Sequence, residues 1–72
     1  MYIYLVQHSH FLHNTYQAFV LRAYNEANAR QIARTSDQPE GHAHWEDATV
    51  EVVGWSAVAQ EEKVLLGSYN AG

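Results

Sequence analysis

The sequence predicts an α+β fold: a small antiparallel four-stranded sheet with one helix on one face, in the order β-β-α-β-β. Three observations predict it. Residues 2–6 and 49–53 are rich in the aromatic and β-branched side chains that favour strands. An alanine-rich segment after Asn25 has the cap and the composition of a helix. The length of 72 residues allows a single domain, 1–72.

Two strands, over residues 2–6 and 16–24, are predicted on either side of a turn over residues 7–15. Successive side chains of a strand point to opposite faces of the sheet. In the second strand, Phe19, Leu21 and Ala23 share one face, and Ala18, Val20 and Arg22 share the other. In the first strand both faces are apolar, because Ile3 and Leu5 alternate with Tyr2, Tyr4 and Val6.

One helix is predicted over residues 25–35. The side-chain oxygen of Asn25 can accept a free backbone N–H of the first turn, and the helix must end before Pro39. Ala29, Ile32 and Ala33 fall at positions i, i+3 and i+4. This spacing produces a narrow apolar stripe, which we expect to pack onto the sheet.

The second half of the chain is predicted to add two strands. A polar loop over residues 37–47 leads to a strand over 49–53, which Gly54 is expected to break. Residues 55–62 form either an irregular connection or one helical turn, and the fourth strand runs over 63–69. The order of the strands in the sheet does not follow from the pattern.

Composition argues against several classes of protein. The chain has no cysteine, which excludes disulfides and favours a cytoplasmic location. Its net charge of −4 argues against direct binding to nucleic acid, which needs a basic surface. The apolar run at residues 1–6 is too short for a signal peptide or a membrane span, so no membrane association is expected.

Several segments together resemble a family of short uncharacterised phage and bacterial proteins that end in a Gly-Ser-(Phe/Tyr)-Asn-Ala-Gly segment. The resemblance is carried by residues 2–5, by residues 16–30, by Trp45, by Val50-Glu51 and above all by residues 64–72. It implies a small accessory gene of a mobile element. Such genes often encode inhibitors of host defence or of host enzymes. The resemblance implies no catalytic or binding residue.

Catalysis is not expected from the motifs of this chain. The sequence has neither a nucleophile elbow nor a glycine-rich loop for phosphate. Ser9 lies between His8 and His10, but adjacent residues of a strand face opposite ways. We therefore expect no enzyme activity and no cofactor.

The histidines provide an alternative function, a small metal-binding domain. His8 and His10 form one His-x-His pair, and His42 and His44 form a second, which together could supply the nitrogen ligands of a zinc ion. Neither spacing matches a known zinc motif and no cysteine supports the pairs. Exposed loop histidines are therefore the preferred interpretation.

The preferred function is protein binding by an exposed sheet face. One short helix can cover only one face of a four-stranded sheet, which leaves the other face apolar and open. We expect Tyr2, Tyr4, Val6 and Leu65 on that face to meet a protein partner or a second copy of the chain. The alternative is that loops carrying Phe11, Leu12, Trp45 and Trp55 cover it.

The expected function is thus a non-enzymatic protein–protein interaction module. In the context that the resemblance implies, the module would be a phage-encoded inhibitor of a host defence or host enzyme system, acting in the host cytoplasm.

Overall fold

The computed structural model of the chain describes residues 1–9, 15–37, 45–57 and 61–70. Within these ranges one helix accompanies a four-stranded sheet, in the predicted order β-β-α-β-β. The elements are β1 (Tyr2–Gln7), β2 (Thr15–Ala23), α1 (Glu26–Ser36), β3 (Thr49–Trp55) and β4 (Lys63–Asn70). The predicted α+β class and element order are confirmed.

The strands pair antiparallel in the order β3-β1-β2-β4. β1 and β2 form a central hairpin in which Tyr4 pairs with Leu21 and Leu5 pairs with Val20. β3 adds to the outer edge of β1, and β4 adds to the outer edge of β2. The last two strands of the chain therefore lie at opposite edges of the sheet.

The helix begins and ends at hydrogen-bonded caps. Asn25 is the N-cap, as predicted, and its Oδ1 accepts the backbone N–H of Asn28 at 2.8 Å. At the other end the backbone N–H of Asp37 donates to the carbonyl of Ala33 at 3.1 Å. At 11 residues α1 is too short to cross a membrane, and no other helix in the described ranges could do so.

The hydrophobic core lies between α1 and the sheet face beneath it. The predicted stripe faces this core: Ala29 and Ala33 are fully buried, and Ile32 packs beside them. Because alanine is small, the helix backbone can approach the sheet closely. The other buried members of the core are Tyr4, Val6, Phe19, Leu21, Ala23, Trp45 and Ala48.

Gly54 does not break β3, contrary to the sequence-based expectation. The strand continues through Gly54 to Trp55, and Gly54 pairs with Ile3 of β1. The pairing shifts register between Ile3 and Tyr4, and this irregularity absorbs the extra residue Val53. Glycine is accommodated here because a central neighbour strand supplies the hydrogen bonds that hold the backbone extended.

The connection from β3 to β4 is tied to the end of the sheet at which α1 begins. The backbone N–H of Ser56 donates to the carbonyl of Met1 at 2.9 Å. Farther along, one carboxylate oxygen of Glu62 accepts both the backbone N–H of Tyr24, at 3.0 Å, and the side-chain amide of Asn28, at 2.8 Å. These contacts hold the start of β4 beside the first turn of the helix.

Candidate binding surface

The helix covers the sheet face that carries Tyr4 and Val6, so the expected assignment of the two faces is wrong. Tyr4 is 4% exposed and Val6 is 0% exposed. Both lie under α1 with Phe19 and Leu21 of the neighbouring strand. Their place in the core removes them from the surface that a partner could contact in this fold.

Tyr2 and Leu65, the other two residues of the expected surface, are exposed but do not lie in one patch. Tyr2 lies at the end of the helix-covered face, where its ring meets Trp55 edge-on at 4.9 Å between centroids. Leu65 lies at the register shift in β4 and is 44% exposed. Tyr2 and Leu65 are therefore in strands separated by β2 rather than adjacent on one face.

The side of the sheet opposite α1, called here the open face, consists of the residues that alternate with the core positions. Their register arranges them in three rows across β3, β1, β2 and β4. The first row is Thr49, Gln7, Ala18 and Ser68; the second is Glu51, Leu5, Val20 and Leu66; the third is Gly54, Ile3, Arg22 and Lys63.

The centre of the open face is an apolar depression of about 330 Å³. It is lined by three residues of the second row, Leu5, Val20 and Leu66, and by two residues of the first row, Ala18 and Ser68. Leu66 is 68% exposed, the largest exposed fraction among the large apolar side chains of the described residues. A leucine in this position, beside other hydrocarbon side chains, is typical of a surface that binds another protein.

Charged residues lie at two opposite edges of the open face. Arg22 and Lys63 are direct cross-strand partners beside the apolar centre. Glu51 pairs with Leu5 at the opposite edge of the sheet. Arg22 is partly buried, and its Nε is shielded from solvent with no hydrogen-bond partner among the described residues. A buried donor of this kind is costly unless an acceptor meets it.

The tryptophans do not cover the open face. Trp45 is buried on the helix side, with its ring 5.2 Å from that of Phe19. Trp55 lies against Tyr2, which pairs with the buried Ala23 and so is on the helix side. Phe11 and Leu12, the other residues of the loop-cover alternative, lie outside the described residues.

His8 is a core residue in this fold. It is 5% exposed, its ring stacks edge-on against Trp45 at 4.7 Å, and its Nε2 lies 2.7 Å from the carbonyl oxygen of Tyr16. Because a carbonyl can only accept, Nε2 carries the proton and donates. That nitrogen cannot bind a metal ion while this hydrogen bond is made.

The rest of the histidine alternative falls on other segments. His10, His42 and His44 lie outside the described residues. Within the described ranges no group of three or more His, Asp or Glu side chains is arranged to hold a metal ion.

A second depression, also of about 330 Å³, lies beside α1 between Arg30, Arg34 and the turn at Trp45 and Glu46. Two arginines suggest an anion site, but the guanidinium of Arg30 already donates to the carbonyl of Ala48, with Nη2 at 3.1 Å. Glu46 places a negative charge in the same lining. The open face is therefore the stronger candidate for a binding surface.

Alternation along the strands did not identify the residues that form this surface, among them Ile3, Leu5, Val20 and Leu66. The signal that could have found them is the position of Arg22. A charged side chain belongs on the side of β2 that the helix does not cover, and this assigns Ala18 and Val20 to the open face. Cross-strand pairing would then have assigned Leu5 to the same side.

Comparison with protein-family models, with curated proteins and with solved structures finds no match to this chain.

Proposed function

We propose that this chain is a non-enzymatic protein–protein interaction module and that the open face is its docking surface. The observation that carries the proposal is the apolar depression formed by Leu5, Val20 and Leu66 at the centre of a sheet face that α1 leaves uncovered. Covering such hydrocarbon surface is favourable by roughly 25 cal/mol for each Å² removed from water. Charged residues at its edges provide orientation.

Two occupants are compatible with the proposal: a second copy of the chain, or a protein of a bacterial host. If the occupant is a host protein, the module would inhibit a host defence or host enzyme system by covering a surface that the host protein needs. Its support is the resemblance carried by residues 64–72, together with the same apolar face.

Site-specific photo-crosslinking tests the proposal whichever occupant binds. A photoreactive amino acid replaces Leu66, at the centre of the open face, in the full chain expressed in bacterial cells. The matched control carries the same group at Val52, which pairs with Tyr4 and so lies on the helix side. Val52 is 52% exposed, so both positions are accessible to solvent.

We expect discrete protein adducts from position 66 and none from position 52. Their mass identifies the occupant: twice the chain mass of 8.2 kDa for a second copy, and another value for a different protein. Equal labelling from both positions, or no adduct from position 66, would remove the open face as the docking surface.

A further inference from the structure

We infer that the open face is made to pair with the open face of a second copy, with the two sheets packed face to face about a twofold axis parallel to the strands. This inference rests on the proposed function and names the partner of the same surface. It follows from how charge and apolar area are distributed over the three rows of the face.

The apolar centre is self-complementary under this symmetry. The axis passes between β1 and β2, so each of these strands lies over the other strand of the second copy. Leu5 then packs on Val20 of the second copy, and Val20 packs on its Leu5, because the two residues are cross-strand partners in one row. Sheets that stack in this way are about 10 Å apart and fill the gap with such side chains.

Glu51 and Lys63 cannot pair with each other within one copy. Glu51 is on β3 and Lys63 is on β4, which are the two edges of the sheet with two strands between them. Neighbouring strands are about 4.8 Å apart, so these backbones are separated by roughly 14 Å across the sheet.

The twofold axis brings these charges together between copies. It places β3 of each copy over β4 of the other, so Glu51 faces Leu66 of the second copy. Lys63 of that copy is one row away, about 7 Å along the strand, which is within the span of a lysine and a glutamate side chain. The symmetry repeats this contact, and each dimer contains it twice.

Arg22 adds a second cation beside Lys63. It lies next to Lys63 in the third row, and its shielded Nε has no acceptor among the described residues. In the face-to-face pair, Glu51 of the second copy approaches this pair of cations from across the interface, in addition to the acidic side chains that adjoin Lys63 along its own chain.

The other twofold arrangement, about an axis running across the strands, is unfavourable. Such an axis places each strand over the same strand of the second copy, and when it passes through the second row, Glu51 faces Glu51. Like charges that meet in a desolvated interface repel each other and weaken association. The charge pattern therefore selects the axis parallel to the strands.

The area of the face is sufficient for a specific but dissociable dimer. Four strands of about seven residues cover roughly 19 by 24 Å, or about 450 Å² in projection, and the rough surface of the side chains adds to this. The pair therefore buries about 1,000 Å² or more in total, near the lower limit for specific interfaces. We expect a dimer that dissociates on dilution.

Charge reversal in the full chain tests the inference by sedimentation and native mass spectrometry. Glu51→Lys and Lys63→Glu are prepared separately, with Glu46→Lys as control, because Glu46 is exposed beside the helix and away from the open face. We expect the parent chain and Glu46→Lys to dimerise alike. Each open-face variant should dimerise at least tenfold more weakly. A mixture of the two should recover a heterodimer, since the lysine introduced at position 51 of one chain then meets the glutamate introduced at position 63 of the other.

A parent chain that stays monomeric at high concentration would overturn the inference. So would a dimer that neither reversal weakens, or a mixture that forms no heterodimer although both variants show the circular dichroism of the parent. These results leave the proposed function intact if position 66 still crosslinks to a different protein, so the two failures are distinguishable.

Discussion

Trp45 and Asp37 are joined by a buried hydrogen bond in which the indole N–H donates to Oδ2 of the carboxylate at 2.9 Å. The other carboxylate oxygen, Oδ1, accepts the backbone N–H of Tyr16 at 3.1 Å. One carboxylate, itself 3% exposed, thus connects the end of α1, the start of β2 and the largest side chain of the core. A buried charge is tolerated when donors satisfy it in this way.

Asp37→Ala should be strongly destabilising, because it leaves the indole N–H and the Tyr16 backbone N–H buried without an acceptor. We expect the free energy of unfolding to fall by about 3 kcal/mol, measured by urea denaturation at a fixed protein concentration. Asp47→Ala is the control, since Asp47 is exposed in the turn after Trp45, and it should change stability by less than about 0.5 kcal/mol. Equal losses in the two variants would contradict this role of Asp37.

Two strand glycines should respond in opposite ways to alanine. A Cβ at Gly67 would lie 2.8 Å from Cε1 of Tyr16 and 3.0 Å from Cε1 of Phe19, so a packed aromatic cluster would have to move. We expect Gly67→Ala to cost about 1–3 kcal/mol.

Gly54→Ala is the matched comparison for Gly67→Ala. A Cβ there would lie 3.5 Å from Cδ1 of Ile3, which is an ordinary contact. We expect stability to be unchanged or raised by up to about 1 kcal/mol, because alanine restricts the unfolded chain. Thermal melts of both variants check the pair, and a more stable Gly67→Ala would contradict the packing of Tyr16 and Phe19.

The stability of the domain should decrease at alkaline pH because of Tyr4. Burial raises the pKa of its hydroxyl above the usual 10.0, and the charges of Glu26 and then Tyr2 add to the increase. The folded chain therefore holds this proton more tightly than the unfolded chain does. Its contribution to stability is complete below pH ~10 and is lost as the pH rises through the raised pKa.

Tyr4→Phe should remove part of that alkaline loss, because phenylalanine has no proton to release. Urea denaturation at pH ~8 and pH ~11 measures the difference between parent and variant. Tyr24→Phe is the control, since Tyr24 is 61% exposed, and it should keep the alkaline loss of the parent. The same alkaline loss in Tyr4→Phe as in the parent would show that another group is responsible.

The elements of the fold could be predicted because local chemistry determines them. Asn25 is the only strong N-cap ahead of the alanine-rich segment, and the Ala29, Ile32 and Ala33 stripe has the helical period. The end of β3 could not be predicted in the same way. Gly54 weakens a strand in isolation, and only its pairing with Ile3 of β1 holds it extended.

The sequence predicts an apolar sheet face opposite the helix, but it does not predict which residues form that face. An apolar face opposite the helix follows from one helix and four strands, and the part of the chain that the structure describes has such a face. In β1, however, Tyr2, Tyr4 and Val6 are as apolar as Ile3 and Leu5, so alternation alone does not say which set the helix covers. The strand order places Glu51 and Lys63 at opposite edges, and this long-range arrangement has no local signal.

Intermolecular methyl contacts test the central claim, that the open face is a docking surface and that a second copy occupies it. The measurement is an isotope-filtered NMR experiment on an equimolar mixture of labelled and unlabelled chain at high concentration. We predict contacts between the methyls of Leu5 in one copy and Val20 in the other, with further contacts at Leu66 and none at Val52. Contacts that involve Val52 instead, or the absence of any intermolecular contact at Leu5, Val20 and Leu66, would contradict the account.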